Sequence, residues 1–419
     1  MRIILVIVGV SMAGYEKSIS STTGEGGFTA ILNIDFHDLI HCPFAGQFVG
    51  TRWRFYSPWD LEKLIYHAAD HGFTRVNFRI AVCGKTSIPS TVKEQADITP
   101  IWVSTLKLYD PFGVAVAAAR KAGIEIYAWL TPLDDAGPVY QGDTRRQSRF
   151  SMDNPFYQLL SKYGHDPLWG VYCFGYEEVV DYHLAHLNEI LAYGADGVFF
   201  STRTHSNIDE RQIEYGFNEP VIERYKELYG GDPRDPDYYS LERFSQVQGD
   251  FFTEFLAAAA ERVHNQGQKL QVAVSWQRNG RIANRLGGLH KDFYQWKRWV
   301  EEGIIDELVI GGDMATGNDP EHILPYIEVE ADSANPEYFR SRLTWHIPIY
   351  RWLTLWSWGW PDDVSEVTSE PTRSFTDDVV SEMILKAQTS GLDGIILHEV
   401  VNIDTHGQWD TYKKLLKGQ

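Results

Sequence analysis

A recurring alternation of helical segments and short apolar strands predicts a (β/α)8 barrel for this chain of 419 residues. Five times, a helix-like segment ends at Gly, and an apolar, β-branched or aromatic run begins within a few residues. These copies occupy 71–80, 122–131, 193–203, 302–313 and 390–400. Gly supplies the left-handed cap that ends a helix, and a run that is apolar on both faces is typical of a buried parallel strand.

Three further runs have the same strand character without a preceding Gly, at 28–35, 269–276 and 343–352. They bring the number of strands to eight. Eight alternating strand and helix units close into a parallel TIM barrel, because the eighth strand can pair with the first. A doubly wound open sheet is the alternative architecture for the same alternation.

The helices between the strands have readable ends. Ser57-Pro58 and Asp110-Pro111 each combine a capping residue with Pro at the first helical position. The segment 111–122 places apolar residues on one face and ends at Gly123, and 176–193 ends before Gly194 in the same way. A final helix is expected at 407–417.

Two long excursions, 132–175 and 204–240, exceed ordinary connections and follow strands. We therefore expect them to be long βα loops on the catalytic face of the barrel. No linker, low-complexity tract or charge block divides residues 15–419, so we expect a single catalytic barrel domain there.

Residues 1–14 resemble a short secretory signal, and an ordinary leading strand is the alternative. The protein is expected outside the cytoplasm in the first case and in the cytoplasm otherwise.

The net charge of −19 argues against nucleic acid or an anionic membrane as a partner, since both require a positive surface. After the first residues, no stretch reaches the roughly 18 apolar residues that a membrane-spanning helix needs. Three cysteines, at 42, 83 and 173, are too few and too scattered for a disulfide framework. Nothing in the sequence indicates an oligomeric state.

The strands end in polar residues, and in such a barrel these ends converge on one cleft. Two carboxyl groups are needed to hydrolyse a glycosidic bond, one as acid and one as nucleophile or base. Asp313 and Glu399 form the preferred catalytic pair, because each ends an otherwise apolar strand. Asp35 is the rival to Asp313, since the first strand neighbours the eighth. Another pair drawn from Asp35, Asp134, Asp135 and Glu219 is the alternative, and so is a purely structural role.

The remaining polar and aromatic residues near the strand ends are candidates for binding substrate. They are Arg79, Trp129, Asp134, Arg203, His205, Trp276, Tyr350, Arg351, His398, and Trp356 and Trp358 in the tract RWLTLWSWGW at 351–360. Flat rings stack on the apolar faces of sugars, and arginines bind carboxylate or sulfate. The arginines Arg79, Arg203, Arg278 and Arg351 indicate an anionic glycan, or they neutralise the carboxylates of the cleft itself.

A catalytic metal would need ligands brought together by local spacing. Asp35, His37, His205, Asp313 and His398 could meet at a barrel mouth, but only Asp35-x-His37 has a local pattern, and no helix carries two His four residues apart with the acid of a His-Glu-x-x-His motif. We therefore predict neither a metal nor another cofactor.

The run GVYCFGYEEVVDYHLAHLNEILAYGADGVFFSTRTHS at 170–206 resembles the bacterial family-10-like glycosyl hydrolases, which are barrel proteins. The segments 215–233 and 299–310 resemble the same family, so that the resemblance covers about half the chain. It implies a barrel acting on carbohydrate. Relatives commonly carry an acidic residue at the end of strand four, where this chain has Ser201. The resemblance therefore does not locate the catalytic acids.

These observations predict a glycoside hydrolase that acts on a polysaccharide or oligosaccharide, either anionic or neutral. A non-catalytic carbohydrate-binding barrel is one alternative, suggested by Ser201. A polysaccharide lyase is another, with Tyr350 or His205 as the base.

Overall fold

The computed structural model describes most of the 419 residues of the chain. The described residues are 27–36, 57–97, 100–135, 147–164, 166–202, 204, 214–276, 289–311, 335–344, 346–354, 376–398, 400–405 and 407–418. The predicted leader at 1–14 lies outside them.

Eight parallel strands form a closed barrel, in which each strand pairs with its neighbours in chain order and the last pairs with the first. These barrel strands are β1 (Thr29–Ile34), β2 (Arg75–Arg79), β5 (Glu125–Leu130), β8 (Gly197–Phe200), β9 (Lys269–Val274), β10 (Glu307–Gly311), β11 (Ile349–Thr354) and β12 (Gly394–His398). The pairing of Thr29 with Gly394 and of Leu32 with Leu397 closes the ring. The (β/α)8 prediction is confirmed, and the open sheet is excluded.

Two antiparallel hairpins lie outside the barrel sheet. They are β3 (Ala81–Val82) with β4 (Lys85–Thr86), which follows β2, and β6 (Gln158–Leu160) with β7 (Pro167–Tyr172), which lies in the predicted excursion after β5. Both therefore extend from the carboxyl ends of barrel strands.

Helices fill the connections between the strands. They are α1 (Pro58–Asp70), α2 (Pro100–Leu108), α3 (Pro111–Ala122), α4 (Arg149–Asp153), α5 (Glu177–Leu191), α6 (Glu219–Tyr229), α7 (Leu241–Asn265), α8 (Trp296–Glu301), α9 (Pro336–Arg340), α10 (Asp377–Thr389), α11 (Val400–Thr405) and α12 (Trp409–Lys417). None of the helices in the described ranges has the length and apolar character to cross a membrane.

Helix α3 shows how the sequence sets these ends. The side chain of Asp110 accepts hydrogen bonds from the backbone N–H groups of Phe112 and Gly113 at 3.1 and 3.2 Å. Pro111 occupies the first turn, where its missing N–H costs nothing. The helix ends at Gly123 in the left-handed conformation, as predicted.

The seventh barrel strand begins later than predicted. The sequence suggested 343–352, whereas β11 begins at Ile349. Pro348 has no N–H to donate to the sheet, and its carbonyl accepts from Leu308 instead. The side chain of Asp393 then accepts the N–H of Ile349 at 2.8 Å, which fixes the start of the strand.

Alternate residues of the barrel strands face inward and form an interior cluster. Its members are Ile31, Tyr127, Trp129, Phe199, Ala273, Val309, Tyr350, Trp352 and Ile396. The intervening residues, such as Leu32 and Phe78, belong to a larger core between the strands and the helices. This two-residue period decides which polar side chains enter the barrel.

A buried ion cluster closes the amino end of the barrel. The guanidinium of Arg75 binds both carboxylate oxygens of Glu307 at 2.6 and 3.1 Å, and its Nε donates to Glu125 at 2.7 Å. Gln271 and Tyr127 donate to Glu307 at 2.8 and 3.2 Å. Burial opposes the charge of Arg75, but Glu307, Tyr127 and Tyr350 together outweigh it and raise the pKa of Arg75 above its usual value.

Removing the charge of Glu307 should destabilise the barrel, because it leaves a buried arginine without its main partner. We expect Glu307→Gln to lower the free energy of unfolding by about 3–5 kcal/mol. The matched control Glu125→Gln changes the other carboxylate on Arg75, which is 41 % exposed, and should cost about 0–1 kcal/mol. Urea denaturation measures both, and equal losses would contradict the account.

The carboxyl-terminal helix α12 is fixed against α1 through a group of rings. Trp409 packs edge-on against His67 and His71, with ring centroids 4.6 and 5.4 Å apart. His71 also bonds through Nδ1 to the carbonyl of His67 at 2.7 Å. Burial, reinforced by His71, lowers the pKa of His67 to about 4. This helix matches the one predicted at 407–417.

Because His67 is neutral in the folded protein, the unfolded chain takes up its proton first as the pH falls. The stability that the neutral ring contributes is complete above about pH 6.5 and is lost as the pH falls towards 4. We expect His67→Phe to reduce the slope of the free energy of unfolding against pH in that window by the amount that corresponds to about one proton. His346→Phe, at a 64 % exposed site, serves as the control. Parallel profiles for wild type and His67→Phe in denaturation at stepped pH would refute this.

Candidate active site

Three inward-facing residues of consecutive barrel strands meet at the carboxyl end. Asp35 follows β1 directly, Arg79 ends β2 and His398 ends β12. Every second side chain of a barrel strand points into the barrel, and these three residues continue that alternation. Ile31 and Ile396 are inward-facing residues of the same strands nearer the amino end. The closed ring makes β1 the neighbour of both β2 and β12, so these side chains come together at one side of the mouth.

Arg79 joins two carboxylates at this mouth. Its Nη1 donates to Asp35 at 2.5 Å and its Nη2 donates to Asp134 at 2.9 Å, while its Nε donates to the carbonyl of Ala81 at 3.0 Å. All three charged residues are at most 6 % exposed. Burial alone would lower the pKa of Arg79, but Asp35 and Asp134 raise it above its usual value. The triad therefore consists of two acids joined by one base.

Aromatic rings form the floor beneath this triad. The guanidinium of Arg79 lies 5.1 Å from the ring centroid of Trp129. Trp129 and Trp352 pack edge to face at 5.5 Å, and the ring of His398 lies 5.5 Å from Trp129 and 4.9 Å from Trp352. Within the described ranges, no group of three His, Cys, Asp or Glu side chains is placed to hold a metal ion.

Adjacent acids in the loop after β5 have opposite environments. Asp134 turns to Arg79, as described. Asp135 instead enters a buried network, in which it binds the ammonium of Lys93 and accepts from Ser148, Tyr172 and Tyr182 at 3.0 Å each. Asp135 therefore lies away from the mouth, although the sequence grouped it with the candidate acids.

Three predicted substrate-binding residues lie elsewhere, so that prediction is wrong for them. Tyr350 is the second residue of β11 and lies at the amino end, 5.4 Å from Arg75, because the strand begins at Ile349. Arg351 falls between the inward residues Tyr350 and Trp352, so that it lies on the helix side of the strand. Trp276 is buried in the outer core, against Tyr294, Tyr338 and Phe339.

The other candidates divide into two groups. Arg79, Trp129, Asp134 and His398 lie with Asp35 at the mouth, and their binding of substrate stays a prediction. The remaining candidates lie outside the described residues, namely Asp313, Glu399, Arg203, His205, Trp356 and Trp358. Their roles stay predictions.

The sequence reasoning missed the polar residues below the mouth. Asn33 and Asn77 are buried inside the barrel, where the amide of Asn77 donates to Asn33 at 3.1 Å. Both stand two residues before a mouth residue, Asp35 or Arg79, so that the two-residue period of the strands could have found them. Lys93 could not be found in this way, because it lies in a loop, where side chains do not alternate.

Solved structures share this fold. The catalytic domain of a beta-amylase from Paenibacillus polymyxa matches with a TM-score of 0.56 and 13 % identity, over 94 % of this chain and 99 % of that one. A beta-galactosidase from the psychrophilic Marinomonas ef1 matches with a TM-score of 0.50 and 10 % identity, over 89 % of this chain and 54 % of that one. Similarity at this level shows the barrel fold alone.

No protein-family model matches the sequence, and no curated protein is similar to it in sequence. The resemblance to family-10-like glycosyl hydrolases therefore stays a prediction, while its barrel is confirmed by the strand order.

Removing the charge of Arg79 should leave two buried carboxylates without the cation that joins them. We expect Arg79→Met to lower the free energy of unfolding by about 3–5 kcal/mol. The control Arg120→Met lies on the exposed face of α3 and should change stability by about 0.5 kcal/mol or less. Denaturant titration measures both. A loss under about 1 kcal/mol for Arg79→Met would show that the triad is not a buried charge cluster.

Proposed function

We propose that this protein is a glycoside hydrolase acting on a polysaccharide or oligosaccharide. The observation that carries the proposal is the pair of carboxylates, Asp35 and Asp134, which Arg79 holds at the carboxyl end of a closed (β/α)8 barrel. Active sites in barrels of this type lie at that end.

The chemistry of the triad suits a reaction that develops positive charge. Glycoside hydrolysis passes through a transition state resembling an oxocarbenium ion. Asp35 and Asp134 place two carboxylates beside Arg79, whose guanidinium lies 5.1 Å from the ring centroid of Trp129. Fixed charges in a site shielded from water stabilise such a transition state more strongly than charges in solution.

The strand order favours Asp35 with Glu399 as the catalytic pair. β1 and β12 are direct neighbours in the barrel, so Asp35 follows one strand end and Glu399 comes directly after His398 at the other. In this proposal Asp35 is the nucleophile or base, and Glu399 is the acid. Asp313 remains the alternative partner of Glu399. Asp134 holds Arg79 and, through it, the position of Asp35.

The positions of Arg79 and Arg351 decide whether these arginines are proposed to bind an anionic sugar. Arg79 is occupied by the carboxylates of the protein itself, and Arg351 lies on the helix side of its strand. Neither is therefore proposed to bind an anionic sugar. An anionic substrate therefore depends on Arg203 and Arg278, and a neutral glycan is the alternative.

The experiment is an assay of new reducing ends over a panel of polysaccharides that includes neutral, uronic and sulfated chains. With a substrate found there, we expect Asp35→Asn and Glu399→Gln each to lower kcat by about 10²–10⁴-fold, the usual size for a general acid or base. Glu382→Gln, an exposed carboxylate on α10, is the matched control and should leave kcat unchanged. Full activity in either mouth variant would remove that residue from the mechanism.

A non-catalytic carbohydrate-binding barrel is the second candidate, and Ser201 favours it. This residue is buried directly after β8, where relatives commonly carry an acid. Glycan binding without new reducing ends in the panel would support it. The lyase alternative loses one of its two candidate bases, because Tyr350 lies at the amino end of the barrel.

A further inference from the structure

The turn of the short hairpin β3–β4 contacts the backbone of Asp134 and Asp135. Cys83 and Gly84 form the two-residue turn, and both have positive φ, of 48° and 76°. Such turns match the twist of a tight hairpin and strain any residue that has a side chain, as Cys83 does. The N–H of Gly84 donates to the carbonyl of Asp134 at 3.1 Å.

The approach of the turn is too close for a side chain at Gly84. A Cβ built there would lie 2.3 Å from the carbonyl oxygen of Asp135 and 2.8 Å from the Cβ of Ser148. Neither atom belongs to the end of a flexible side chain. The backbone of Asp134 and Asp135 therefore sits where it does only because residue 84 is Gly.

The network around Asp135 holds the same dipeptide from the other side. The N–H of Asp135 donates to the carbonyl of Gly170 at 2.8 Å, and the carboxylate of Asp135 binds Lys93 and Ser148. Burial alone would raise the pKa of Asp135, but Lys93, His183 and the hydrogen bond from Ser148 together outweigh it, and the pKa is lowered to about 2. Asp135 is thus a fixed anion, and Gly170 and Ser148 tie it to the excursion after β5.

We infer that Gly84 and Asp135 are positioning residues, which set the place of Asp134 and, through Arg79, of Asp35. The inference rests on the proposed function for its catalytic meaning, and on the contacts above for its geometry. Asp134 makes the mouth contact, and its neighbour Asp135 anchors the peptide between them. The conformation of the mouth therefore depends on the hairpin turn and on the excursion at 147–172.

The test compares Gly84→Ala with Gly123→Ala. Both positions have positive φ, 76° and 71°, so both variants bear the same backbone strain. Nothing lies within 4 Å of a Cβ at Gly123, so only Gly84→Ala displaces the two acids. Crystal structures of both variants should show the Asp134 to Arg79 bond broken in the first and kept in the second.

Kinetics on the panel substrate provide the second readout. We expect kcat of Gly84→Ala to fall by about 10²-fold with KM changed by less than about threefold, since displacement of a reacting group by about 1 Å has that effect. Gly123→Ala should keep the wild-type kcat. An intact Asp134 to Arg79 bond, or a fall in kcat no larger than the loss of folded protein, would overturn the inference.

A second variant covers the case in which Gly84→Ala does not fold. Asp135→Asn keeps the shape of the side chain and removes its charge, and we expect kcat to fall by about tenfold. Lys85→Met is the control, because Lys85 lies in the same hairpin but pairs with Asp97 instead. Wild-type protein without activity would refute the proposed function alone, whereas the two crystal structures would still decide the positioning.

Discussion

The closure of the barrel between β1 and β12 is the constraint on which the other features depend. Once the ring is closed, every second residue of eight strands must share one interior. In β2 this parity sends Arg75, Asn77 and Arg79 inward in one line. Each arginine then needs an anion, because a buried cation without a partner is strongly destabilising.

The two ends of this line have separate roles. At the amino end, Arg75 meets Glu307 and closes the barrel floor. At the carboxyl end, Arg79 meets Asp35 and Asp134. The first cluster pairs one base with a strand residue across the interior and supports the fold. The second joins one arginine to two carboxylates, as the first does through Glu125 and Glu307, but it lies at the end of the barrel where active sites of this fold are found.

Much of the fold could be predicted from the sequence, because helix caps and apolar strands are local features. Gly123 ended its helix as expected, and all eight strands were found. The errors arose where the start of a strand depends on contacts with residues that are distant in sequence. The start of β11 depends on Pro348 and on Asp393, which is distant in sequence, and a shift of a few residues moved Tyr350 from one end of the barrel to the other.

The site was harder to predict than the fold, because partners of charged groups come from different loops. The sequence placed Arg79, Asp35 and Asp134 near the mouth, but it could not show that one arginine binds both acids. It also grouped Asp134 and Asp135 among the alternative acids, since nothing local distinguishes the environments of two adjacent carboxylates. The difference comes from Lys93, 42 residues earlier in the chain, which lies beside only one of them.

The most direct test of the central claim is a crystal structure of Asp35→Asn with an oligosaccharide from the active member of the panel. Our account predicts a sugar chain across the carboxyl end of the barrel, with a glycosidic bond within hydrogen-bonding reach of residue 35 and the Arg79 contact to Asp134 preserved. A sugar bound away from β1 and β12, with residue 35 remote from any glycosidic bond, would contradict it.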